Sequence, residues 1–178
     1  GSETAIGQAW AILGLSGAGE QVPTALVSTL KTLQLSDGGW EWGPGFGTDS
    51  NTSAIVLEAL ASAGLSAADG VVTNGLAYLK TQISPKGGFT YSTAWGSDPD
   101  ANSTEVSIQA LLAYSQDITD SAWQSAGTSP LAMVLSWQLA DGSFEWQTGL
   151  GSNLLATAQA VPALLGKTLP LASTLTAA

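Results

Sequence analysis

The sequence predicts an all-α protein built from repeated pairs of helices, and three observations lead there. First, three segments answer one another: Gln-Leu-Ser-Asp-Gly-Gly-Trp at 34–40, Gln-Ile-Ser-Pro-Lys-Gly-Gly-Phe at 82–89 and Gln-Leu-Ala-Asp-Gly-Ser-Phe at 138–144. Their closing aromatics, Trp40, Phe89 and Phe144, recur at a period of about 50 residues, room for two helices and two loops. Second, each segment follows a stretch with apolar residues on one helical face. Third, each is followed by a Gly-rich loop and a helix of small apolar residues, the pattern of a helix packed on more than one side.

The elements follow in order. Ala5-Ile-Gly-Gln-Ala-Trp-Ala-Ile12, Ser53-Ala-Ile-Val-Leu-Glu-Ala-Leu60, Thr104-Glu-Val-Ser-Ile-Gln-Ala-Leu111 and Thr157-Ala-Gln-Ala-Val-Pro-Ala-Leu164 align with one another. They predict inner helices over 3–15, 51–64, 102–116 and 152–165. The expected N-caps of the later three are Asn51, Asn102 or Ser103, and Ser152 or Asn153. Outer helices are expected over 22–34, carried by Leu26, Leu30 and Leu33, and over 69–83, carried by Val72, Leu76, Leu79 and Ile83. A third, over 121–139, rests on the looser series Leu131, Val134 or Leu135, and Gln138. Only Phe89-Thr-Tyr91 has an extended character.

Composition bounds the function. The chain has 178 residues, 44% hydrophobic and 10% charged, enough apolar material for one domain's core. Its four Lys, with no Arg, face fourteen acids for a net charge of −10, which excludes a phosphate-tracking nucleic-acid surface. No apolar run is long enough to span a membrane. The absence of His and Cys removes the commonest general base, thiol nucleophiles, disulfides and Cys-based metal centres. Gly1-Ser2 reads as an expression scar, leaving 3–178 as a single repeat domain and a C-terminal piece of a longer chain. Acidity, seven Trp and abundant Ser, Thr and Gly suggest an exported or cell-surface bacterial protein.

Gln34-x-x-Asp37-Gly38-x-Trp40 resembles the QW repeat of terpenoid cyclases, and the wider pattern is similar to the prenyltransferase and squalene-cyclase repeat over nearly the whole chain. The resemblance implies an α/α toroid, with inner and outer helices alternating around an axis. A closed ring of this class needs about six helix pairs, so three and a half make a partial ring. Self-association or upstream repeats would then complete it. In the repeat itself, Gln34, Asp37, Trp40, Phe89, Gln138, Asp141 and Phe144 carry structural roles. The Gln serves backbone groups, the Asp favours the next helix's N-terminal dipole, and the aromatic fills the junction between repeats.

The catalytic motifs of similar proteins are degraded. Asp98-Pro-Asp100-Ala-Asn102-Ser-Thr104-Glu105 resembles the Asp-x-Asp-Asp-Thr acid motif of squalene-hopene-type cyclases. Asp98 and Asp100 match its first two acids, but the third falls on Ala101, or on Asn102 with a one-residue slip. Prenyltransferase zinc is held by Asp, Cys and His, and two of those types are missing. Gly17-Ala18-Gly19-Glu20-Gln21 is similar to a complement-type thioester motif with Ala18 in place of the Cys. Asp98-x-Asp100-x-Asn102 also begins like a calcium loop, without the Gly and the final acid that complete one. The plainer expectation for this stretch is an acidic loop ending in an Asn/Ser cap, with Glu105 in the helix's first turn.

The binding candidates are aromatic. Trp40-Glu41-Trp42, Phe89-Thr90-Tyr91 and Phe144-Glu145-Trp146 are equivalent triplets. They place Trp42, Tyr91 and Trp146, with Phe46 and Trp95, in loops that precede inner helices. With Asp49, Asp98, Glu41 and Glu145 nearby, they suggest a platform for a glycan or small apolar ligand. The leading expectation is a non-catalytic binding or structural module with no cofactor beyond a calcium ion. The alternatives are a small-ligand carrier resembling the cobalamin carriers, and a polysaccharide lyase or hydrolase, or terpene-cyclase-like enzyme, using Asp98 and Asp100.

Overall fold

The computed structural model describes residues 4–171. Among them are seven α-helices and no strand, only isolated two-residue bridges such as Ile83 with Phe89. The inner helices are α1 (Ala5–Gly17), α3 (Ser50–Ser62), α5 (Ala101–Ala113) and α7 (Leu154–Leu164); the outer ones are α2 (Thr24–Thr32), α4 (Gly70–Thr81) and α6 (Pro130–Ser136). The inner helices form a row in chain order, α1 on α3, α3 on α5 and α5 on α7. Behind the row, α2, α4 and α6 each pack on the inner helix that precedes them. The core lies between the two layers, where Leu30, Leu57, Leu60, Leu79 and Leu111 are fully buried.

Two expectations are corrected here. The cap of α3 is Asp49, not Asn51, and that of α5 is Asp100, not Asn102 or Ser103. Each carboxylate accepts the third amide of its helix, from Thr52 at 2.7 Å and from Ser103 at 2.9 Å. A carboxylate there satisfies an orphan donor and meets the positive end of the dipole, which favours it over the amides one turn further in. Asn153 caps α7 in the same way. The third outer helix is also shorter than 121–139. Ser121–Trp123 form one 3-10 turn, Ala126 and Gly127 adopt positive φ, and the helix starts only at Pro130, with Ser129 as its cap. Pro130 lacks an amide proton and so suits a first turn but not an interior.

The repeat aromatic is the wedge between layers. Trp40 and Phe89 are fully buried and Phe144 nearly so. In all three repeats a hydroxyl on the following inner helix accepts the aromatic's backbone amide. Ser53 Oγ takes Trp40 N at 2.9 Å, Thr104 Oγ1 takes Phe89 N at 3.0 Å, and Thr157 Oγ1 takes Phe144 N at 2.9 Å. These buried amides leave the regular helical ladder at the turn, and the hydroxyl is what satisfies them. Replacing Ser53 with Ala is expected to cost about 1–3 kcal/mol, the penalty for a buried amide left unpaired. Ser53→Thr, which copies the other two repeats, should cost far less. Urea denaturation of the two variants checks the pair.

Gly38 shows why the turn before the aromatic needs glycine. Its φ is +90°, and a Cβ there would lie 2.5 Å from the carbonyl oxygen of Asn74. Gln34 closes the same turn, donating to the carbonyls of Gly38 and Val71, both at 2.8 Å. Gln138 reaches Gly142 O at 3.4 Å. Asp37 and Asp141 accept the amides of Gly39 and Ser143 within their own turns, at 3.0 Å each, and Asp37 also accepts from Thr48 Oγ1, just before the cap of α3, at 2.6 Å.

Beyond α7 the chain doubles back along the row. Leu169 packs on the first of two core clusters, the one that includes Leu30, Leu57 and Leu79, and its amide donates to Glu58 Oε2 of α3 at 2.6 Å. Pro170 then lies against Gly17 at the end of α1, where an added Cβ would come within 3.2 Å of its ring.

Candidate functional site

Two of the three aromatic loops, those of Tyr91 and Trp146, are held at the N-terminal ends of the inner helices because each is stitched to the inner helix before it. Ser50 N, at the start of α3, donates to Tyr91 O at 2.8 Å, and Ala101 N, at the start of α5, donates to Trp146 O at 2.9 Å. A first-turn amide of one repeat thus fixes the aromatic of the next, using a donor the helix leaves free. Two loops, those of Trp42 and Trp146, are braced from inside. Glu41 Oε2 accepts the amides of Gly45 and Gly47 at 2.8 and 3.2 Å. Glu145 Oε2 accepts those of Gly149 and Gly151 at the same distances. Both glutamates are therefore engaged in their own loops.

Tyr91, Trp95 and Trp146 come together; Trp42 does not join them. Tyr91 and Trp95 stack at 5.4 Å between centroids and 38° between planes. With Trp146, Asp98 and Asp100 they line an open cleft of about 250 Å³. Tyr91, Trp146 and Asp100 are shared with an adjoining cleft of about 280 Å³, which adds Asn51, Asn102, Ser103, Leu155 and Gln159. Trp42 pairs edge-on with Phe46 at 5.6 Å and 88°, and the two rings stay 57% and 59% exposed. Trp95 is 69% exposed.

Asp100 anchors this surface. Besides the Ser103 amide, it accepts from Ser103 Oγ at 2.7 Å and from Trp146 Nε1 at 3.1 Å. The indole is thus held at the helix start by both its carbonyl and its ring nitrogen. Burial raises the Asp100 carboxyl above the usual range, against the lowering effect of these bonds. Asp49 is the equivalent group in α3, and burial raises it too. Its Oδ2 is buried with no hydrogen bond, beside Tyr91. Burial, then the Asp49 charge, push the Tyr91 hydroxyl up to about 12.

The expected calcium ligands take three separate partners. Asp98 is exposed and bonds Lys86 Nζ at 2.6 Å, Asp100 turns to Ser103 and Trp146, and Asn102 donates to Gln159 Oε1. Among the described residues no three His, Cys, Asp or Glu side chains gather as a metal-binding group. Asp98 and Asp100 line the same cleft, Asp98 exposed and Asp100 buried. Glu105 is not a first-turn residue facing the dipole. It is fully buried, both its oxygens lack hydrogen bonds, and its carboxyl is pushed up to about 9 by burial and then by the charge of Asp100.

Leu155 and Gln159 were not singled out by the sequence. Their signal was positional: counted from the caps, Leu155 matches Asn51 and Asn102, so one face recurs in three helices. Among the described residues no helix is long and apolar enough to cross a membrane. No family model matches the chain, and no curated protein matches it either.

Proposed function

We propose that the protein is a non-catalytic carbohydrate-binding module of an exported or cell-surface bacterial protein, its inner helices forming an arc of an α/α toroid. The observation that carries the reading is the pair of braced rings, Tyr91 and Trp146, flanking Asp100 above a cleft lined by Asn51, Asn102, Ser103 and Gln159. Sugars present apolar C–H faces and rims of hydroxyls. Aromatic faces receive the first, and amide, hydroxyl and carboxylate groups receive the second. Loops fixed through helix amides keep the rings in place, which lowers the ordering cost of binding. With a net charge of −10, the protein suits neutral or cationic glycans rather than polyanionic ones. Both oxygens of Asp100 already accept hydrogen bonds, which favours anchoring over proton transfer.

A glycan array followed by calorimetric titration of the best neutral oligosaccharide tests this. Trp146→Ala is expected to weaken binding about tenfold or more, ~1.4 kcal/mol, and Trp42→Ala much less. Absence of any glycan signal, or equal losses from both variants, would overturn the assignment. Turnover of a bound glycan would move the protein to the enzymes.

A further inference from the structure

We infer that α7 and α1 are the two halves of a head-to-tail interface, and that their partner is a second copy of this chain. The argument goes beyond the ligand reading and does not depend on it. It starts from positions counted from each helix's cap. One, five and eight residues past the cap, α3 presents Ser50, Ala54 and Leu57, and α5 presents Ala101, Glu105 and Ile108; all six are buried. In an α-helix these positions share one face. On α3 and α5 this face turns to the next repeat, whose loop carbonyl accepts the amide of its first residue. On α7 the same positions are Leu154, Ala158 and Val161, and all three are exposed, Leu154 by 86%.

The opposite face behaves as the complement. Three, seven and ten residues past the cap are Thr52, Val56 and Ala59 on α3, and Ala156, Ala160 and Ala163 on α7, all buried. That is the side each helix turns to the inner helix before it. On α1 the corresponding Gly7, Ala11 and Gly14 are exposed. An added Cβ on Gly14 would meet nothing within 4 Å. Among the described residues, then, the row ends in a ridge of Leu and Val at one side and a groove of Gly and Ala at the other.

What covers such faces is visible in the molecule three times, at the α1–α3, α3–α5 and α5–α7 contacts. Each joins the forward face of one inner helix to the backward face of the next. A second copy brings the missing backward face to α7 and the missing forward face to α1. Neither end face carries a charge, so the contact avoids the repulsion expected between two chains of net charge −10. Because the two faces differ, the contact is heterologous, and it either closes into a ring or propagates.

Sedimentation equilibrium of the full chain, Ala11→Arg, Ala158→Arg and a mixture of the two variants tests this. Both sites are exposed, so helicity should not change, and circular dichroism verifies it. The full chain is expected to sediment above its 18.0 kDa monomer mass at micromolar concentrations. Each variant alone should be monomeric, since every contact it makes uses its damaged face. The mixture should recover a one-to-one complex, because each variant keeps the face the other lacks. A monomeric full chain, a mixture that stays monomeric, or a variant that still self-associates alone would each overturn the inference. The last result would mark a symmetric contact instead.

Discussion

Raising the pH from about 5 to about 9 is expected to destabilise the protein by several kcal/mol, the reverse of the usual behaviour of buried carboxylates held by cations. The cause is a pair of buried glutamates. Burial raises Glu58 to about 8, opposed only by the Leu169 amide. Burial and the charge of Asp100 raise Glu105 to about 9. In the unfolded chain both ionise near their ordinary value of 4.5. Above that value unfolding releases protons, so rising pH favours it. The protonated pair contributes its full stability at acid pH and loses it until the pH passes the folded values. Asp69, Asp117 and Asp141 act oppositely, since hydrogen bonds lower them, but Asp117 and Asp141 are exposed, Asp69 is only half-buried beside Lys31, and all three act only in more acid solution. Urea midpoints measured across this range check the slope. Glu105→Gln should flatten it and stabilise the protein at alkaline pH, because the amide fills the same space without ionising. A flat profile in the parent chain would refute the assignment.

Trp40→Ala is expected to cost about 3–5 kcal/mol, the range for emptying a buried aromatic site. The ring is fully buried, and its Nε1 donates to Leu30 O at 2.8 Å, so the variant loses packing and leaves a carbonyl unpaired. Trp42, two residues on and more than half exposed, provides the control: Trp42→Ala should stay within about 0.5 kcal/mol. Chemical denaturation of both variants is the measurement. A loss below about 1 kcal/mol at Trp40 would mean that the repeat alignment misplaces the wedge.

The helical periodicities and the three turn signatures made the alternation of helices legible, because both are local properties that tertiary packing left intact. The failures have separate causes. Asp49 and Asp100 displaced the expected caps because a cap is chosen by backbone geometry just outside the helix, whereas periodicity locates only its interior. The outer helix expected over 121–139 gave way to Ala126-Gly127 and Pro130, turn chemistry that outweighed a loose apolar series. At the candidate site, the triplet alignment placed Tyr91 and Trp146 in loops before inner helices. It was silent on which aromatics meet, since that depends on the order of helices in the row. The hydroxyls of Ser53, Thr104 and Thr157 share one column of the aligned helices, but their role was unreadable, because Ser and Thr in a helix signal nothing until the amide they serve is located.

The return of the chain from α7 to α1 has a consequence for how the molecule is made. Leu169 lies 111 residues beyond Glu58, the group it covers. During synthesis α1 and α3 emerge long before that segment exists, so a nascent chain can assemble its first repeats only with the Glu58 carboxyl still open to water. Repeat arrays normally fold by growth from neighbour to neighbour, without waiting for distant sequence. Here the first core is finished only after the last helix has left the ribosome. A local zipper is thereby made to end in a long-range closure, and loss of the final turns would be felt at the opposite end of the row.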